Sequence, residues 1–129
     1  MINKDLADEW MNRAFSNLER ASMGRQSKTV YYEDLCYDCQ QAVEKSLKAL
    51  LVFNHVQFPY VHTISKLLEI IEAHGVTIPR DAMEAVILSD YAVATRYPGD
   101  YEPVGEEEYL RALEIAKSVC QWVVGLIRG

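Results

Sequence analysis

The stretch Tyr31–Asn54, YYEDLCYDCQQAVEKSLKALLVFN, decides the fold. Its apolar residues Tyr32, Leu35, Cys36, Cys39, Val43, Leu47, Leu50 and Leu51 recur at the spacing of one helix face, without the alternation of a strand. Ala42, Ala49 and Phe53 widen that face toward two sides, so the helix asks to be covered from more than one direction. Glu33 and Asp34 put negative charge at its start, where the helix dipole favours it.

Outward from this helix the same period continues. Upstream, from about Asp5 to Met23, Leu6, Trp10, Ala14, Leu18 and Ala21 form a stripe widened by Met11 and Phe15, with Asn3 or Asp5 as cap and Gly24 as stop. Arg25 to Val30 reads as a polar linker. Downstream, a loop containing Phe58 and Pro59 leads to a third helix from about Thr63 to His74, with Ile64, Leu67, Leu68 and Ile71 inward and Gly75 at its end. After Pro79, Asp81 is placed to cap a fourth helix carrying Met83, Val86, Ile87, Tyr91 and Ala94, ended by Pro98 and Gly99. The last helix starts near Glu106 and carries Tyr109, Leu110, Leu113, Ala116, Cys120, Val123, Val124 and Ile127; its three opening glutamates suit the dipole. Amphipathic helices joined by short loops bury their stripes against one another. The expectation is an all-α, up-and-down bundle of about five helices forming a single domain over residues 1–129.

Composition narrows the function. Half the 129 residues are hydrophobic and a quarter are charged, which is globular composition, and the net charge of −6 disfavours a surface built for sequence-independent nucleic-acid binding. No apolar run is long enough to span a bilayer and the N-terminus lacks a signal-peptide core, so a cytoplasmic protein is expected. The three cysteines Cys36, Cys39 and Cys120 read as reduced thiols. Although Cys36 and Cys39 form a CxxC, they lie within a helix and lack partner ligands, so they are expected as core residues without metal. The dispersed His55, His62 and His74 make no ligand spacing either, and no cofactor is expected. His62, where the third helix begins, reads as a capping or packing residue.

Three local patterns carry a resemblance. They are Gln40-Gln41-Ala42-Val43-Glu44-Lys45-Ser46-Leu47-Lys48-Ala49-Leu50, His62-Thr63-Ile64-Ser65-Lys66-Leu67-Leu68 and Arg96-Tyr97-Pro98-Gly99, preceded by Ala7-Asp8-Glu9-Trp10-Met11 with Ala14 and Leu18. In order and spacing they resemble the HEPN domain family, across nearly the whole chain. The resemblance implies a five-helix bundle that pairs into a homodimer and works beside a small nucleotidyltransferase, in some members as the ribonuclease toxin of a toxin–antitoxin pair. It also implies a site. The ribonuclease branch resembles an Arg followed after four to six residues by His, then by Tyr two positions on. Arg96 takes the Arg position here; with four residues between, the His position falls on Tyr101 and the Tyr position on Pro103. No His follows His74, so the group that would move a proton during RNA cleavage is missing. The resemblance also implies that the partner enzyme adenylylates the motif's tyrosine; that position falls on Pro103 here, with Tyr101 as a substitute.

The functional expectation is therefore a nucleotide-binding or nucleotidyltransferase-partner subunit, not a confirmed enzyme. The rivals are an atypical ribonuclease using Arg96 with Tyr101 or Asp100 at a dimer cleft, and a dimerising adaptor without ligand. The binding candidates are Arg96, Tyr97, Asp100 and Tyr101, with Gln41, Lys45 and Lys48 on the second helix, and no metal ligands. Arg96 suits phosphate through its guanidinium, or pairs with Asp90, Asp100 or a glutamate of the last helix. Gln41 and Lys45 lie four apart, as do Glu44 and Lys48, so one strip offers lysines for phosphate and an amide for a base edge. The same strip reads equally as a solvated face with a Glu-to-Lys helix pair, or as a dimerisation surface.

Overall fold

A computed structural model of the chain describes residues 2–58, 63–92 and 102–129. The described elements are helical throughout: α1 (Ile2–Ser22), α2 (Tyr32–Phe53), α3 (Ile64–Ala73), α4 (Arg80–Glu84) and α5 (Glu106–Arg128), with a 3₁₀ helix over Ala85–Ala92 continuing α4. The fold is an all-α bundle of five helices.

Helix α2 is its axis. Helix α1 packs along it most extensively, α5 next, and the 3₁₀ helix and α3 close the remaining side. Fourteen of its 22 residues are buried, so most of the two-sided apolar pattern is met inside one chain, with Tyr32 and Phe53 half-buried at its ends. That outcome removes the sequence argument for a dimer built on α2, because the surface that would have stayed exposed is covered by α1, α3, α5 and the 3₁₀ helix. Leu47, Leu50, Val43, Leu67, Ile71 and Val119 are among the fully buried side chains that join the elements into one core.

The elements stop where backbone chemistry dictates. Gly24 follows α1 with φ +74° and Gly75 follows α3 with φ +90°, conformations that glycine adopts without a Cβ clash. The exit from α2 is less usual. His55 holds φ +60° while the N–H groups of Asn54, His55 and Val56 donate to Leu50, Val52 and Leu51, so a β-carbon-bearing residue makes the turn.

Two stripes differ from the expectation. In α1 the buried face is Ala7, Met11, Ala14, Asn17 and Ala21, turned from the reading that began at Leu6; Leu6 is exposed and Trp10, Phe15 and Leu18 are half-buried. The larger change is in the fourth helix. Arg80 opens it after Pro79, one residue before Asp81, so Asp81 sits in the first turn instead of capping. The segment then tightens into 3₁₀ geometry, whose three-residue turn aligns positions i and i+3. Ala82, Ala85 and Leu88 fall into one inward row, and Met83 and Ile87 remain 52% and 55% exposed, with Val86 also outside. Of the face expected to be buried, Met83, Val86 and Ile87 point outward, Tyr91 is half-buried against the core, and Ala94 lies outside the described residues. Helix α5 keeps its reading except at Leu110, which is exposed, and at Val124, which is half-buried.

No described helix is long and apolar enough to cross a membrane.

Candidate functional site

Position Asn17 breaks the apolar row of α1 between Ala14 and Ala21, and α2 answers it with polar groups of its own. Asn17 Nδ2 donates to Asp38 Oδ1 at 2.9 Å, and Lys45 Nζ donates to Asn17 Oδ1 at 2.7 Å. Arg20 approaches the other oxygen of Asp38 at 3.5 Å. Asp38 is buried while Arg20 is largely in solvent, so the carboxylate is bridged between the seam and the surface.

A second network lies one face over on α2. Lys48 Nζ pairs with Glu44 Oε1 at 2.8 Å, Gln40 Nε2 donates to Glu44 Oε2 at 2.9 Å, and Gln41 Nε2 donates to Gln40 Oε1 at 2.8 Å. The Lys48 ammonium also stands 5.4 Å over the Trp10 ring of α1. The expected Glu-to-Lys pair forms, but Glu44 and Lys48 are only 5% and 7% exposed. The strip is therefore a packed seam against α1 instead of a solvated face. Buried charges persist when they are paired and hydrogen-bonded, which this network supplies.

The seam brings Gln41, Lys45 and Lys48 together on one side of α2, each engaged differently. Lys48 is tied to a carboxylate, Gln41 to a neighbouring amide, and Lys45 to the neutral carbonyl of Asn17. Burial, then the nearby Arg13, hold the Lys45 ammonium below its ordinary pKa, against the opposing pull of Glu44 and Asp38. Lys45 is thus a partly desolvated cation that an anion would stabilise.

The other half of the expected site, Arg96, Tyr97, Asp100 and Tyr101, lies outside the described residues, as do His62 and Pro59. The described chain on either side is firmly held. Before it, the Tyr91 hydroxyl donates to Glu108 in the first turn of α5. Burial and that carboxylate, with Cys36 close by, raise the phenol pKa. After it, Val104 is buried in the core and Gly105 leads into α5. Lys45 stands nine residues beyond Cys36 on α2, so the Tyr91 anchor is roughly 13 Å along the helix from Lys45.

The thiols occupy the interior. Cys36, Cys39 and Cys120 are free and buried, and burial above all pushes each pKa up to about 12. Cys120 Sγ approaches the Ala42 carbonyl at 3.8 Å. Among the described residues no cluster of His, Cys, Asp and Glu is placed to hold a metal ion. Tyr109 stacks on Tyr32 with ring centroids 5.3 Å apart and donates to the Ala21 carbonyl, and its half of the core is thereby tied to the end of α1.

Reasoning along the sequence did not find Asn17, Asp38, Gln40 or Trp10 as members of the seam. One signal was present: an amide within the α1 row of small apolar residues requires a polar partner across the helix interface.

The HEPN domain model matches residues 7–127, and the chain belongs to that family. Two solved structures agree. An archaeal HEPN homologue is similar with a TM-score of 0.73 and 28% identity, over 94% of this chain and 97% of its own. A protein from Thermus thermophilus is similar with a TM-score of 0.72 and 30% identity, over 92% of this chain and 96% of its own. No curated protein matches at a significant level.

Proposed function

We propose that this HEPN protein is a homodimeric binding subunit, holding a nucleotide phosphate or the acidic surface of a small nucleotidyltransferase, and that it does not depend on RNA cleavage. The observation that carries the reading is the absence of any histidine after His74, so the position where the ribonuclease branch carries its proton-transfer histidine holds none here. A guanidinium alone suffices for binding, since it matches a phosphate or carboxylate through two parallel hydrogen bonds. Arg96, Tyr97, Asp100 and Tyr101 form the first part of the proposed site. Lys45, with Gln41 and Lys48 beside it, forms the second, because its ammonium is bonded to an amide and only partly hydrated. Family membership supports the pairing of two chains and the nucleotidyltransferase partner.

The test is binding by the full chain. Arg96→Ala is expected to leave helicity intact and to weaken binding of ATP or of a co-expressed nucleotidyltransferase by about 1–3 kcal/mol, the scale of a charge-assisted hydrogen bond. Calorimetry and co-purification measure the two cases, and sedimentation reads the dimer. Metal-independent RNA cleavage by the wild type that vanishes in Arg96→Ala would overturn the proposal in favour of a histidine-less ribonuclease.

A further inference from the structure

A groove of about 200 Å³ runs between α3 and the α4–3₁₀ segment, floored by Leu68 and Ile78 and walled by Met83 and Val86, with Glu69 and Glu72 on its α3 edge. We infer that it is a docking surface for a basic amphipathic helix of another protein. The groove exists because this segment carries apolar residues on two sides and the core uses only one. Ala82, Ala85 and Leu88 are spent on the interior, while Met83, Val86 and Ile87 stand outward side by side. Such a row beside a recess is the arrangement that accepts helix anchors spaced by one turn.

Charge selects the occupant. Helix α3 carries Glu69 and Glu72 against Lys66, and the α4–3₁₀ segment carries Asp81, Glu84 and Asp90 against its own Arg80 and Arg111 of α5, which pairs with Glu84 at 3.0 Å, so both elements stay net acidic. Lys66 is 3.4 Å from Glu69, and Glu72 has no ion pair among the described residues. A second copy seated here would bring acidic faces together, a like-charge juxtaposition that opposes association. A helix with leucines on one face and lysines or arginines flanking them would fill the groove and neutralise its edge. This inference uses neither Arg96 nor the seam, and it requires the homodimer proposed above to form on another face.

The probe is a fluorescein-labelled helical peptide with leucines one turn apart and lysines at the flanking positions, compared with the same peptide carrying glutamates there. Anisotropy titration with the full chain should show saturable binding of the lysine peptide and binding at least about tenfold weaker for the glutamate peptide, a difference in line with charge selection at an interface. Ile87→Glu, at an exposed position, should lose the lysine peptide; so should the charge reversal Glu69→Lys with Glu72→Lys. Leu6→Glu, an exposed substitution on α1, should bind like the wild type, and circular dichroism should show all variants folded. Equal binding of both peptides, undiminished binding by Ile87→Glu, or no binding by the wild type would overturn the inference. Sedimentation in which the wild type is a dimer and Ile87→Glu a monomer would also overturn it, by assigning the groove to a second copy.

Discussion

At Glu44 the structure places a carboxylate in the interior with an ammonium and an amide directly upon it. The desolvation of such a pair offsets much of its attraction, so the pair contributes little net stability while its disruption is costly. Glu44→Ala leaves Lys48 without that carboxylate beneath the Trp10 ring and is expected to destabilise the fold by about 3 kcal/mol. Urea unfolding measures this, and a loss below 1 kcal/mol, about the worth of a surface pair, would mean that the seam is wetter than its geometry. At His55 the opposite change is expected. Its left-handed backbone, φ +60°, suits glycine, so His55→Gly should raise stability by up to about 1 kcal/mol despite the loss of its hydrogen bond with Asn3. A lower denaturation midpoint for the glycine variant would show that the Asn3 link outweighs the relief. The identity of Glu44 and Lys48 as an i,i+4 pair was legible in sequence. Their burial was not, because it depends on Trp10 and the whole of α1 lying across them.

Among the elements, α3 buries every apolar residue that its period marks, and α2 buries all of its own but Tyr32 and Phe53 at the ends, which are half-buried. The fourth helix does not bury its marked residues this way. Its sequence offers Met83, Val86 and Ile87 on one side and Ala82, Ala85 and Leu88 on another, and apolar weight alone favours the first set. The core chose the second because two of its members are alanines, which let the segment lie close against α2. Paired substitutions check this assignment. Leu88→Ala should cost roughly 2–4 kcal/mol, as expected for a fully buried leucine, and Ile87→Ala well under 1 kcal/mol, as expected for an exposed side chain. Thermal or chemical denaturation in which the order is reversed would return the helix to the face expected from its sequence.

For the whole molecule, the three buried thiols link folding to pH. Each folded pKa is raised from 9.0 to about 12, so the native state favours the neutral thiol and the unfolded chain gives up its protons first. The resulting stability is fully present below pH 9 and is lost as pH rises toward 12. The melting temperature should therefore fall across that window, and more gently in a Cys39→Ala variant than in the wild type. A melting temperature that is flat from pH 9 to 11 would contradict the burial of these groups. In the same native protein a thiol reagent at neutral pH should react slowly, at a rate that rises with unfolding.

The sequence by itself determined the helical class, the order of the helices, the approximate ends of all but the fourth, and the family, because periodicity, glycine stops and the spaced patterns on α2 and before α5 are local properties of the chain. It also determined that no histidine follows His74 in the printed sequence, so none stands four to six residues after Arg96. Tertiary structure alone decided which of two apolar faces the fourth helix buries, that the lysine strip of α2 is a seam against α1, and that α2 is covered within one chain. Those outcomes depend on which helix lies against which, and on how closely. Burial is a property of pairs of surfaces, and a periodic pattern describes only one surface of each pair.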